Sequence, residues 1–84
     1  MDKEKRKSIE RTVLRLINEH IENEAHLSDD LQDDLGMDSL DMANLCWLLN
    51  VVYDNATFTI PMFDGCKTVE DVVHQVANVL KEHD

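Results

Sequence analysis

The stretch Asp33-Asp34-Leu35-Gly36-Met37-Asp38-Ser39-Leu40-Asp41 decides how the rest of the chain is read. Ser39 has one carboxylate immediately before it, Asp38, and another two places after it, Asp41, and a long apolar run begins at Leu40. Gly36, three residues upstream, interrupts local structure. The layout sets a hydroxyl on a turn at the head of a helix, among acids. Taken alone, the pair Asp38-Ser39 has two readings. Asp and Ser start helices by capping free backbone N–H groups; alternatively, the serine is presented for covalent modification. The surrounding sequence has to separate the two.

Residues 1–84 read as one small domain, near the lower limit at which a hydrophobic core alone holds a fold. A hydrophobic content of 43% is ordinary for a globular chain, which argues against disorder. Two glycines and one proline leave few turn-makers, so the composition points to helices joined by a few loops. No apolar run approaches the ~20 residues of a membrane span, and the first residues are charged rather than signal-like. The expectation is a monomeric cytoplasmic protein.

Charge narrows the partners. A net charge of −10 repels nucleic acid and anionic membranes alike. Six of the eight basic residues (Lys3, Lys5, Arg6, Lys7, Arg11 and Arg15) crowd the first helix, and no Lys or Arg occurs between Leu16 and Cys66. A field of one sign over that interval raises the on-rate of a basic partner and makes it salt-dependent.

Working outward, Ile9, Val13, Leu16, Ile17 and Ile21 recur at helical spacing and predict a first helix over 3–22, capped by Asp2 and ended by Asn23. Residues 23–38 read as a long loop in which Leu27, Leu31 and Leu35 act as pins while the acids face water. A loop of this length with its own apolar anchors is more often functional than idle. The second helix is expected from about Ser39 to Tyr53, with Asp38 as its cap. Its apolar residues (Leu40, Ala43, Leu45, Cys46, Leu48, Leu49, Val52 and Tyr53) exceed what one stripe needs, leaving Met42, Trp47 and Val51 for either core or a second, sticky face. Pro61 can open a short turn of helix at 62–65. A last helix starts at Thr68, where Thr68 and Asp71 resemble a capping box, and buries Val69, Val72, Val73, Val76, Ala77 and Leu80. The fold class expected is all-α: a small four-helix bundle of three main helices and one short one, with the long loop between helices one and two.

Several chemistries are excluded. Ser39 lacks a G-x-S-x-G elbow, and none of the histidines (His20, His26, His74 and His83) is spaced to pair with it. The acidic run is not an EF-hand loop, because placing Gly36 sixth puts Leu31 where an Asp ligand is required. Cys46 and Cys66 lack zinc spacing, and Cys46 reads as a small core residue. The chain reads as a binding or carrier module rather than an enzyme, with no catalytic residues and no metal site.

Asp34-Leu35-Gly36-Met37-Asp38-Ser39-Leu40-Asp41 resembles the D-L-G-x-D-S-L-[DE] signature of acyl carrier proteins. The likeness extends over almost the whole chain: the amphipathic first helix, the leucine-pinned acidic loop, Tyr53 near the end of helix two, the Ile60-Pro61 pair, and Thr68-Val69-Glu70 opening the last helix. The resemblance implies that Ser39, beside Asp38, is esterified by 4′-phosphopantetheine transferred from coenzyme A by a phosphopantetheinyl transferase. It implies a carrier that holds acyl chains as thioesters and delivers them to acyl-transferring or chain-elongating enzymes of fatty acid, lipid or polyketide-type synthesis, which bear basic patches. It also implies that acyl chains can tuck between the helices. An aminoacyl or peptidyl carrier is the nearest alternative, and Met37-Asp38-Ser39 counts against it, since such domains usually have a Gly-His-Ser type centre. An unmodified acidic helical adaptor is the alternative from a different class.

The sequence departs from the family pattern in helix two. Typical fatty-acid-synthesis carriers have several exposed glutamates there, whereas here Asp41 is followed by Asn44, Trp47, Asn50, Val51 and Val52, with no acid until Asp54. A specialised carrier is expected, docking a dedicated partner through a face drawn from Asp34, Met37, Leu40, Asp41, Asn44, Trp47 and Val51.

Overall fold

A computed structural model describes residues 3–19, 21 and 24–82. Asp2, Asn23, His20 and His83, to which the sequence reading gave roles or considered them, lie outside the described residues. The elements are α1 (Lys3–Asn18), α2 (Ser39–Val52), a single 3-10 turn (Ile60–Phe63) and α3 (Val69–Glu82). The architecture is all-helical, as expected, with the fourth, short helix present as the 3-10 turn.

α1 buries Ile9, Val13, Leu16 and Ile17, the stripe that its periodicity dictates, and packs chiefly against α3. It stops at Asn18 rather than at residue 22. The Asn18 side chain turns to the following loop, where its Oδ1 accepts the Ala25 N–H at 2.7 Å, and Ile21 packs against the core from beyond the helix end. α3 contributes Val69, Val72, Val73 and Val76, all fully buried, alongside Leu45 and Leu49 of α2. Each such side chain contributes roughly 1.5–3 kcal/mol by leaving water. Among the described residues no polar or charged side chain is buried.

The connection between α1 and α2 is held more firmly than pins alone would hold it. Leu31 is buried, and Leu27 and Leu35 are half-buried against the core. Its acids do not simply face water. Asp30 Oδ1 accepts the N–H groups of Gln32 and Asp33, Asp34 Oδ2 accepts that of Asp30, and Asp29 Oδ2 accepts that of His26. These are local Asx-type bonds that compete with helix and favour turns. The loop is also stitched across the molecule. Leu31 N–H donates to Lys67 O at 2.9 Å, while Asp29 O and Leu27 O accept the N–H groups of Val69 and Glu70. The loop backbone thereby satisfies donors that the start of α3 leaves free.

The connection after α2 is anchored by one asparagine. Asn50 donates through Nδ2 to Phe58 O at 2.9 Å and accepts Phe58 N–H on Oδ1 at 2.7 Å. Cys46 Sγ donates to the same carbonyl at 3.1 Å. The Asn50 amide thus points inward to pair with a backbone segment. Phe58 so held packs between Tyr53 and Phe63, with ring centroids 6.1 and 6.4 Å away. The 3-10 turn begins two residues before the expected 62–65, because Pro61 sits in its first turn.

Candidate functional site

Ser39 is the first residue of α2, and its local geometry follows from its neighbours. Asp38 is extended (φ −102°, ψ −172°) and caps the helix. Its Oδ1 accepts Asp41 N–H at 3.0 Å, while Asp41 Oδ2 accepts Asp38 N–H at 3.2 Å. This reciprocal box, with Asp in place of the usual Glu or Gln, fixes the chain direction on both sides of Ser39. The serine is exposed, and its hydroxyl meets no hydrogen-bond partner among the described residues. Nor do the backbone N–H groups of Ser39 and Leu40. Two donors of the first turn therefore stay open at the positive end of the helix dipole, where an anion is favoured.

Gly36 sets the approach to this point. It is the one described residue with positive φ, at 66°, a region most side chains avoid. A Cβ there would meet nothing within 4 Å, so the requirement comes from the backbone and not from space. The reversal lets Met37 N–H donate to Leu31 O at 2.8 Å. It also turns the Met37 side chain inward to 3% exposure. Met37 therefore does not belong to the outer face on which the sequence reading put it.

Beside Ser39 lies an open cavity of about 190 Å³. Its apolar wall comes from Leu31, Met37, Met42, Ile60, Phe63 and Cys66, and the polar residues Gln32, Asp38, Ser39 and Asp64 border it. Met42, one of the residues left open between core and surface, thus faces the cavity. Ile60, Phe63 and Cys66 were not expected at the site. The Ile60-Pro61 pair was their only trace in the sequence, since a proline-opened turn aims flanking apolar residues inward without leaving a periodic pattern. Burial pushes the Cys66 thiol pKa up, with the Asp71 charge adding to the effect, so it stays protonated at neutral pH. Burial likewise raises the pKa of Cys46.

The remaining expected residues spread over the surface around Ser39. Asp34 is exposed, with its carboxylate engaged by Asp30 N–H. Asp41 is half-buried in the cap. Leu40, Trp47 and Val51 are 77%, 63% and 59% exposed, and Asn44 between them is exposed as well. On α2 these four follow i, i+4, i+7 and i+11, one narrow stripe opposite Leu45, Cys46 and Leu49.

The family described as phosphopantetheine attachment site matches residues 9–76. The chain belongs to that family: it is a phosphopantetheine carrier, and 4′-phosphopantetheine, covalently attached, is the family's cofactor. Carrier domains of this kind are not themselves catalytic and work through the enzymes that modify them and handle their cargo. Comparison with curated proteins and with solved structures returned no match. No described helix is long and apolar enough to cross a membrane.

Proposed function

We propose that Ser39 is the attachment residue and that the chain is an acyl carrier protein, a non-catalytic substrate of other enzymes. The observation that carries this is the open start of α2. Ser39 is exposed, its Oγ and the N–H groups of Ser39 and Leu40 meet no partner among the described residues, and an apolar-walled cavity opens alongside. These residues fit the group. The two open N–H donors and the helix dipole suit the negative charge of a phosphodiester, and the Asp38–Asp41 box holds Ser39 in a fixed direction. When bound, the group supplies a terminal thiol that holds an acyl unit as a thioester. Tethering at Ser39 gives each visited enzyme a high effective concentration of cargo.

The apolar wall of Leu31, Met37, Met42, Ile60 and Phe63 favours a hydrocarbon cargo over an amino acid, which supports the acyl reading over an aminoacyl or peptidyl one. Asp34, Asp38 and Asp41 would guide basic patches of the transferase and of acyl-transferring or chain-elongating enzymes in fatty acid, lipid or polyketide-type synthesis. Two free thiols fit a reducing compartment such as the cytoplasm, and the charge of −10 favours a monomer.

The test is intact mass after incubation with coenzyme A and a broad-specificity phosphopantetheinyl transferase. A single phosphopantetheine adduct is expected on the wild type and none on Ser39→Ala. An unmodified wild type would sink the carrier reading in favour of an acidic adaptor.

A further inference from the structure

α1 carries a ridge of unpaired positive charge. Lys3, Lys7, Arg11 and Arg15 recur at every fourth residue of the helix, and all four are exposed. On a helix rising 1.5 Å per residue that spacing makes one continuous row about 18 Å long. It runs along the side opposite Ile9, Val13 and Leu16, which are buried. None of the four forms an ion pair among the described residues. Arg6, off the row, is paired, with Glu10 at 3.6 Å and across to Glu70 of α3 at 4.0 Å.

The ridge gives the fold nothing in return for its cost. Like charges four residues apart weaken a helix. Lys3 stands with Lys5 and Arg6 in the first turn, at the end of the helix dipole that repels cations. Solubility does not call for these residues, since a net charge of −10 already supplies it. α1 holds six cations against two carboxylates, while the rest of the chain holds two against sixteen. Charge placed against local preference and without a structural gain marks a surface kept for binding.

The composition of α1 and of the other elements narrows what covers the row. Nucleic acid is disfavoured, because α1 offers no aromatic ring to a base: Trp47, Tyr53, Phe58 and Phe63 all lie beyond it. A strand extending past the row would also meet the acids of the other elements. An anionic membrane meets the same acids, and the apolar residues of α1 that could enter it are buried in the core. A second copy has carboxylates to offer, but Asp29, Asp30 and Asp34 are turned to their own loop backbone, and two copies repel at −10 each.

We infer that the row of Lys3, Lys7, Arg11 and Arg15 seats a protein partner presenting aspartates or glutamates at helical spacing. Carboxylates at every fourth residue of a partner helix match the row one to one, and Arg11 and Arg15 can each hold a carboxylate with two parallel N–H groups. The surface lies on a different helix from Ser39 and is opposite in sign to the acidic loop, so it selects a different kind of partner. It does not depend on the carrier reading.

The test uses the full chain with labelled synthetic peptides, followed by fluorescence anisotropy and by amide NMR shifts. One peptide is a Glu/Ala helix with Glu at every fourth residue, and a second has the same composition with Glu scattered round the helix. Oligothymidylate and phosphatidylserine vesicles stand for the phosphate surfaces. Saturable binding of the ordered peptide is expected, weakened by salt, with shifts concentrated in α1. Arg11→Glu should lower that affinity about tenfold, and Lys7→Glu combined with Arg11→Glu about a hundredfold. Lys81→Glu makes the same change of net charge elsewhere and should alter it less than about twofold. Arg11→Glu puts a carboxylate four residues before Arg15, so its melting temperature should hold or rise.

No saturable binding of the ordered peptide would overturn the proposal. Equal binding of the scattered peptide, or an equal loss in Lys81→Glu, would reduce the row to bulk charge and overturn it as well. Tighter binding of oligothymidylate or of the vesicles would assign the row to phosphate, and self-association in sedimentation that Arg11→Glu abolishes would assign it to a second copy; either ends the proposal. A melting temperature lowered by Arg11→Glu would make the row structural and do the same. Ser39→Ala should bind the ordered peptide as the wild type does, so failure of the carrier reading would leave this result standing.

Discussion

Two helices of this molecule begin in the same way and are finished differently. α2 opens on the Asp38–Asp41 box. α3 opens on its counterpart, where Thr68 Oγ1 accepts Asp71 N–H and Asp71 Oδ2 accepts the N–H groups of Lys67 and Thr68. At α3 the next donors are closed as well, Val69 on Asp29 O and Glu70 on Leu27 O. At α2 the equivalent donors, on Ser39 and Leu40, meet no acceptor among the described residues. A helix start that is only structural is sealed by the chain, and the one that carries the serine is left open. The difference lies in tertiary placement and not in the capping residues, which explains why Asp38-Ser39 alone could not be told from an ordinary cap.

This contrast can be broken from several directions. The largest effect is expected from Leu31→Ala. Leu31 is 3% exposed and anchors the loop that seals α3, so its truncation should cost about 2–5 kcal/mol in urea unfolding. A cost under 1 kcal/mol would mean that the stitched backbone holds the loop without the pin. Half-buried Leu35→Ala should cost less. Next come the caps. Thr68→Ala and Asp38→Ala should each cost about 1 kcal/mol, but only Asp38→Ala should slow loading of Ser39, as followed by intact mass. Equal loading rates in the two variants would mean that the open start does not depend on its box.

The smallest effect is in pH. The Lys67 N–H, and then the Thr68 N–H, hold the Asp71 carboxyl below its ordinary range. A carboxylate lowered on folding adds stability above its unfolded pKa of about 4 and loses it as pH falls through the folded value. The gap in Tm between wild type and Asp71→Asn should therefore be full near neutral pH and close on acidification. A gap independent of pH would remove ionisation as its cause.

Much of this was legible in the sequence, for physical reasons that also mark where legibility stops. Helical periodicity located α1 and α3 because each has one apolar face. The Thr68–Asp71 box and the buried Leu31 could be read because capping and pinning are local. α2 could not be resolved in the same way, since apolar residues on both sides leave period alone unable to say which face is inside; Leu40 and Trp47 are outside and Met42 faces the cavity. Met37 was read as surface because its burial depends on a left-handed turn at Gly36. The inward clamp of Asn50 could not be read either, because its partner lies eight residues on. The early end of α1 depends on a contact between Asn18 and Ala25, which no pattern within the helix announces.

The clamp of Asn50 on Phe58 has a dynamic consequence. Amides in long connections usually exchange with solvent within local openings, yet Phe58 N–H is held by a side chain rooted in α2, and Leu31 N–H by the backbone that leads into α3. In a deuterium-exchange map these two should stand out as slow islands within otherwise fast segments, released together with the core. Both connections would then open with the whole domain as one cooperative unit, so that visiting an enzyme and handing over cargo would proceed without either of them melting.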